Sequence, residues 1–171
     1  MKAYVQVYTG NGKGKTTAAL GLALRAVGNG MRVFIGQFVK GMVYSEIEAI
    51  RKYLPGISVK LFGNECFINR KPTQADILAA QNGLEEVKQI IRTKKYDIII
   101  LDEINIALYY HLFDTQEVID LIKSKPLETE LILTGRYAPQ EIMEIADLVT
   151  IMHEQKHYYT KGIEARKGIE F

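Results

Sequence analysis

Residues 8–22 read YTGNGKGKTTAALGL, Tyr8 through Leu22, and this stretch decides the fold. It joins a β-rich run at residues 3–8 to an alanine- and leucine-rich run at 16–27, through a loop that carries Gly10, Gly12 and Gly14. A strand, a glycine loop, a Lys-Thr pair and a helix in that order form a P-loop. The glycines let backbone N–H groups turn inward towards an anion, and the positive end of the following helix adds to that nest. Lys15 supplies a point charge to the phosphates, and the Thr16 hydroxyl is placed to ligate Mg²⁺. Thr9, Asn11 and Thr17 flank these residues and complete the expected nucleotide contacts. The strict pattern places a glycine where this chain has Thr9. Lys13 has two readings, a phosphate contact or a solvated lysine.

Outward from the loop, strand and helix signals alternate. Gly28-Asn29-Gly30 ends the first helix. Residues 31–39 read as a buried strand. Ser45-Glu46-Ile47-Glu48 has capping-box spacing and opens a short helix that stops before Pro55. A third strand is expected at 57–62 and a loop at 63–72. A long helix follows at 73–94, with Ile77, Leu78, Leu84, Val87, Ile90 and Ile91 spaced for one buried face. Residues 96–101 are continuously apolar, as in a strand covered on both sides of a parallel sheet. Asp114 to Glu117 caps another helix; strands at 130–134 and 148–152 bracket a helix at 140–145, and a polar tail ends the chain. This alternation predicts right-handed crossovers and a mainly parallel sheet of five to six strands with helices on both faces. One α/β domain spanning residues 1–171 is expected.

The strand at 96–101 delivers Asp102 and Glu103 at its carboxyl end, the edge where open α/β sheets bind ligands. One of these carboxylates on Mg²⁺, with Thr16 and phosphate oxygens, would complete a metal site. Spacing alone does not say which. Gln37, Lys40 and Gly41 follow the second strand and Arg136 follows the fifth through Gly135, so all reach the same edge.

Composition narrows the functional classes. Of 171 residues, 47% are apolar and 25% charged, which is ordinary for a globular protein that buries a core. A net charge of +2 demands no nucleic acid and suits an anionic small molecule; the chain is also short and has no basic stripe for a nucleic-acid motor. Cys66 is the sole cysteine, so neither a disulfide framework nor a thiolate cluster is expected. The apolar run at 3–8 starts directly after Met1-Lys2, so no leader is expected, and no apolar run is of membrane-spanning length; the cytoplasm is the expected location. None of the three histidines, His111, His153 and His157, sits in a general-base motif.

Five segments together carry a resemblance. They are YTGNGKGKTTAA, GQFVKG (36–41), ILDEIN (100–105), LTGR (133–136) and EIADLVT (144–150), followed by Lys156-His157 and a terminal GIEF. In this order they resemble the P-loop ATP:corrinoid adenosyltransferases, over nearly the whole chain. The resemblance implies a three-layer RecA-like P-loop fold. It implies transfer of the 5′-deoxyadenosyl group of ATP to the Co(I) centre of a corrinoid, cobalamin or an earlier intermediate, with release of triphosphate. It further implies Mg²⁺ held by Thr16 and Glu103, a nucleotide reversed along the loop, a homodimer, and an electron donor such as a flavoprotein reductase. Such chemistry suits the residues: Co(I) has no proton to lose, and the leaving triphosphate needs the charge of the loop, Lys15 and the metal.

Two departures stand out. Family members carry a Phe and Trp pair in the loop after the third strand, near the lower cobalt face. This chain has no tryptophan and offers Phe62, Phe67 and Ile68, of which Phe67 is the candidate. Longer members also carry an amino-terminal segment over the site; here a lid is expected from another loop or the partner subunit. Tyr109-Tyr110 and Tyr158-Tyr159 are candidates for dimer contacts or core. A small-molecule kinase or NTPase and a non-catalytic ATP- or corrinoid-binding protein are the competing readings.

Overall fold

The computed structural model describes residues 2–63 and 71–171. Six strands form one sheet: β1 (Val5–Thr9), β2 (Val33–Phe38), β3 (Ile57–Phe62), β4 (Ile98–Asp102), β5 (Glu130–Thr134) and β6 (Leu148–Ile151). Their order is β3-β2-β4-β5-β1-β6, and each neighbouring pair is parallel. Parallel neighbours need crossovers, which are supplied by α1 (Lys15–Gly28), α2 (Ser45–Tyr53), α3 (Gln74–Arg92), α4 (Ile104–Tyr109), α5 (Thr115–Ser124) and α6 (Gln140–Ile145). The expected three-layer α/β architecture is observed, with six strands where five to six were expected. No helix is long and apolar enough to cross a membrane among the described residues.

The period-2 alternation of strand side chains divides the core between the two faces. Ile98 and Ile100 of β4 pack with Val33, Ile35 and Ile132 against Ala19, Ala23 and Ala26 of α1. Ile99 and Leu101 point the other way, to Leu84, Val87 and Ile91 of α3 and Val118, Leu121 and Ile122 of α5. Alanine at three successive inward positions of α1 keeps its buried face thin, so that the helix backbone lies close to the sheet. The helix start at Lys15 is thereby held tightly over the carboxyl ends of the strands.

Three expectations need correction. Leu78 of α3 is 49% exposed. It lies six residues before Leu84, about 120° round the helix from it. The buried seam runs instead through Ala80, Gly83, Leu84, Val87 and Ile91, while Ile77 and Ile90 pack at its margin. The capping box expected at Ser45 is absent: the N-cap is Tyr44, and the Ser45 hydroxyl donates to the Phe171 carbonyl at 3.1 Å. Reciprocal boxes do form at Thr73 with Asp76 and at Asp114 with Glu117. Finally, the polar tail is not merely a solvated end. It forms a 3-10 turn at Tyr158–Lys161 and folds back on the glycine loop.

Helix α4 carries no clear periodic signal in its six residues. It exists because the chain reverses at Glu103, whose φ of 58° is left-handed. That turn places Glu103 at the head of α4 and buries Ile104, Asn105, Ala107 and Leu108.

Candidate functional site

The carboxyl ends of β1, β2, β4 and β5 open onto one cavity of about 840 Å³. The residues at 12–17 form one wall, Lys40 a second, and Glu103 and Arg136 a third. His157 and residues 168–171 close a further side. Segments more than 150 residues apart in sequence therefore meet round one space, because parallel strands all deliver their carboxyl ends to the same edge.

Asp102 lies beneath the cavity, fully buried, at the centre of a hydrogen-bond network. Its Oδ1 accepts from the hydroxyls of Thr16 (2.9 Å) and Thr134 (2.7 Å). Its Oδ2 accepts from Gln37 Nε2 (3.0 Å) and Lys40 Nζ (3.1 Å). Burial alone would push this carboxyl up; the Lys40 ammonium and the two threonine hydroxyls outweigh it and hold the group below its ordinary range. Burial likewise disfavours charged Lys40, but Asp102 and Glu103 override it and raise the ammonium. Four donors occupy Asp102, so this residue is committed to holding others in place.

Glu103 is its opposite. Among the described residues no donor is bonded to its carboxylate, while its backbone N–H donates to Thr134 Oγ1 at 3.0 Å. Burial, and then the neighbouring Asp102 charge, push its carboxyl up against the pull of Lys40, Lys15 and Arg136. An unpaired anion beside two lysines, at the edge of a cavity, is poised for a cation. Thr16 donates its proton to Asp102, which leaves the hydroxyl lone pairs for a ligand. A hydroxyl and one free carboxylate fit Mg²⁺ that takes its remaining positions from phosphate and water. No group of three His, Cys, Asp or Glu side chains suited to a metal occurs among the described residues, so no all-protein cage competes with that arrangement.

Within the glycine loop the roles differ from residue to residue. Lys15 Nζ donates to the carbonyls of Gly10 (2.8 Å) and Gly12 (2.7 Å), arching over the loop. Burial lowers its ammonium, with Glu103 acting in the opposite sense. The Gly12 N–H donates to the Met152 carbonyl at 2.7 Å, so this amide is aimed at protein and not at an anion. A Cβ on Gly10 would sit 2.4 Å from the Met152 carbonyl oxygen, and one on Gly12 2.8 Å from that of His153. These two glycines are needed first for the close pass of the chain after β6. Thr9, in the place of the strict first glycine, is buried and accepts from Ala138 N–H at 3.3 Å, tying the loop to the turn after β5.

Lys13 is exposed and lines the cavity, and it is ion-paired as well. It reaches away to the tail, donating to Glu170 Oε1 (2.8 Å), Tyr158 OH (3.1 Å) and the Ile169 carbonyl (3.2 Å). The tail therefore closes one side of the cavity through a loop lysine, with the Phe171 ring 6.0 Å from that of Tyr44.

Of the other candidates, Thr17, Lys40 and Arg136 line the cavity with the loop. Gln37 is buried below it with Asp102, Asn11 is exposed, and Gly41 is not in the lining. Phe67 and Ile68 lie outside the described residues. Sequence reasoning gave Thr134, Glu170 and Tyr137 no role and set Tyr109 and Tyr158 only as dimer contacts or core; Tyr109 stacks on Tyr137 with ring centroids 4.3 Å apart, and Tyr158 accepts from Lys13. Tyr109, set beside Tyr110 as core or contact, is 52% exposed. Tyr137, Val39 and Glu103 all have positive φ (59°, 53° and 58°) beyond strand carboxyl ends. Each such residue costs about 1–3 kcal/mol, a strain typically found at ligand sites. The other two positive-φ side chains, Lys94 and His111, fall at helix ends.

With the site built, comparison with known proteins sharpens it. Residues 1–171 match the family described as ATP:corrinoid adenosyltransferase BtuR/CobO/CobP. The chain is 39% identical over 173 residues to a corrinoid adenosyltransferase of Sinorhizobium sp, covering 99% of this chain and 81% of that protein. It is 35% identical to one of Pseudomonas aeruginosa, covering 96% and 82% respectively. A third, from Escherichia coli strain K12, is 31% identical and is covered over 86% of its length by 99% of this chain.

Proposed function

This chain belongs to the ATP:corrinoid adenosyltransferase family, and from that premise we propose how its residues carry out the transfer. The enzyme moves the 5′-deoxyadenosyl group of ATP to the cobalt of a corrinoid, in cobalamin biosynthesis. The cobalt(I) electron pair forms the new bond to C5′, the C5′–O bond breaks, and triphosphate leaves with that bond's electrons. No proton has to move for this attack. The observation that carries the reading is the convergence of the family-like segments other than EIADLVT on one cavity: residues 12–17, Lys40, Glu103, Arg136, His157 and the GIEF tail.

We assign the triphosphate to the loop between β1 and α1. Charge grows on the leaving oxygens, and the stabilisation that counts is charge already fixed around them. Lys15 turns from the Gly10 and Gly12 carbonyls to the phosphates, and Arg136 approaches from β5. Thr16 and Glu103 would hold Mg²⁺, which when bound would neutralise phosphate charge. Asp102 is a positioning residue: it orients Thr16 and keeps Lys40 charged at the edge of the cavity. Gln37 and Thr134 brace it from either side, and Thr9, Asn11, Lys13, Thr17 and Gly41 shape the surrounding loops. Phe67 is assigned to the lower corrinoid face on the resemblance alone.

We further assign one catalytic unit to residues 1–171, a cytoplasmic location, a homodimer, and an external reductase, the last because the transfer needs cobalt already reduced to Co(I). Exposed Leu148, Val149 and Ile151 on edge strand β6 support a second copy as partner. An anaerobic assay with Co(I) corrinoid and MgATP tests the function. Adenosylated corrinoid and stoichiometric triphosphate are expected; ADP and phosphate without triphosphate would mean phosphoryl transfer, and binding without product a carrier or sensor.

A further inference from the structure

Phosphate, metal and reduced cobalt leave one part of the substrate without an assigned contact, the adenine. The cavity has a wall that none of the preceding roles uses. Tyr109 and Tyr137 stack with centroids 4.3 Å apart at an interplanar angle of 29°, and Tyr110 meets Tyr109 edge-on at 5.4 Å. All three line the cavity together with Ile106. The stack is not core: Tyr109 and Tyr137 are 52% and 51% exposed.

The backbone under this wall is strained. Tyr137 holds φ at 59° directly after Gly135 at 129° and Arg136. A bulky side chain in the left-handed region is a genuine outlier. The conformation stands Tyr137 against Tyr109, which comes from a different strand-to-helix connection. Arg136 lies near enough to Lys15 and Glu103 to influence the protonation of both. The aromatic wall thus begins one residue from the phosphate and metal end of the cavity, where the ribose and base of a held triphosphate must follow.

We propose that the Tyr137–Tyr109 stack is the face on which the adenine of ATP lies. A purine is flat, π-rich and largely apolar on its faces, and it stacks on a tyrosine ring whose other face is already supported. Among the described residues lining the cavity there is no asparagine or glutamine, the side chains that pair with an adenine edge through a matched donor and acceptor. What the stack offers the base is a face. A corrin ring, with its rim of projecting amides, fits this narrow two-ring shelf poorly. The assignment rests on the nucleotide half of the proposed function alone.

The test uses the whole protein without corrinoid. Dissociation constants for MgATP and for inorganic triphosphate are measured by calorimetry on the parent protein and on Tyr137→Gly, Tyr137→Phe and Tyr109→Ala. Glycine suits the left-handed backbone, so the first variant loses the ring without new strain. Tyr137→Gly is expected to weaken ATP roughly 5- to 150-fold, the usual range for losing one base–aromatic stack, and to leave triphosphate within about twofold. Tyr137→Phe should restore ATP binding, and Tyr109→Ala should weaken it by a smaller factor. Unchanged ATP affinity in Tyr137→Gly overturns the proposal, and so does an equal loss for ATP and triphosphate, which would mark a general loop defect. Loss of ATP binding in Tyr44→Ala but not in Tyr137→Gly would put the base on the opposite wall and also overturn it. A parent protein that bound ATP in this pattern but made no adenosylated product would defeat the proposed reaction and leave the adenine shelf standing.

Discussion

The floor of the cavity and its rim are built on opposite principles. On the floor, Asp102 is buried and bonded to Thr16, Thr134, Gln37 and Lys40. On the rim, Tyr109 and Tyr137 are half exposed, and the tail is held to the loop through Lys13 and Glu170 at the surface. The floor is preorganised: its charges stand in place before any ligand arrives, which is what stabilising a leaving triphosphate requires. The rim is held by a stack, a strained turn and exposed ion pairs, each of which can be remade with a substrate in place. Stability and function are thus coupled at Asp102 on the floor and separable on the rim.

Breaking the floor should have the largest effect. Asp102→Ala breaks the buried ion pair with Lys40 and takes the acceptor from Thr16, Thr134 and Gln37, and should cost about 3–5 kcal/mol of stability. For a chain of this size that is a fall in Tm of roughly 6–20 °C, readable by calorimetry. Activity should be lost with it, since Thr16 loses its anchor.

Lys15→Ala tests the floor's chemistry more than its stability. Removing one fixed charge from the leaving group should lower kcat about 100- to 1,000-fold. Among the described residues the Lys15 side chain is bonded to loop carbonyls alone, so the Tm should move far less than in Asp102→Ala. An equal fall in Tm would erase the distinction between a structural and a chemical part of the floor.

On the rim, Tyr137→Gly should alter stability by no more than about 1 kcal/mol, because relief of the positive φ offsets the lost stack. Urea titration at a fixed ligand-free condition checks this. A large loss of stability would show that the stack is part of the core after all.

The smallest effect belongs to the tail latch. Hydrogen bonds from Lys13, then Tyr158 and then Arg166 hold the Glu170 carboxyl well below the ordinary glutamate range. A depressed carboxyl pKa stabilises the docked tail above the unfolded value, and that contribution is lost only as pH falls through the folded one. At about pH 4, near the ordinary glutamate pKa, amides at 158–171 should therefore stay protected from hydrogen exchange in the parent protein. Glu170→Gln should expose them at neutral pH while residues 98–134 remain protected. Protection that disappears in both at pH 4 would mean the latch contributes nothing.

Much of the floor was legible in the sequence, because its signals are local. Gly14-Lys15-Thr16 is contiguous, and an apolar strand that ends in Asp102-Glu103 announces where its carboxylates go. What spacing left open was the division of labour between the two acids. That division depends on Thr134 from β5 and on Gln37 and Lys40 from β2, brought beside Asp102 only by strand order. Lys13 was illegible for the same reason: its partner Glu170 is 157 positions away. Leu78 misled because a long helix with many apolar residues offers more than one apolar stripe, and only the packed sheet selects one. Ser45 misled because a capping signal is a local option that a tertiary partner, here the Phe171 carbonyl, can override. The tyrosine shelf had no signature at all, since Tyr109 and Tyr137 share neither a motif nor a period.

By itself, then, the sequence determined the alternating parallel architecture, the phosphate loop and the acidic strand end, because hydrophobic period and glycine placement act over a few residues. Only the tertiary structure decided which acid is bound and which is free, why Gly10 and Gly12 cannot bear a side chain, where the tail goes and which aromatics face the cavity. Those are outcomes of long-range packing at the carboxyl edge of the sheet, where residues from five strands meet at distances no spacing along the chain encodes.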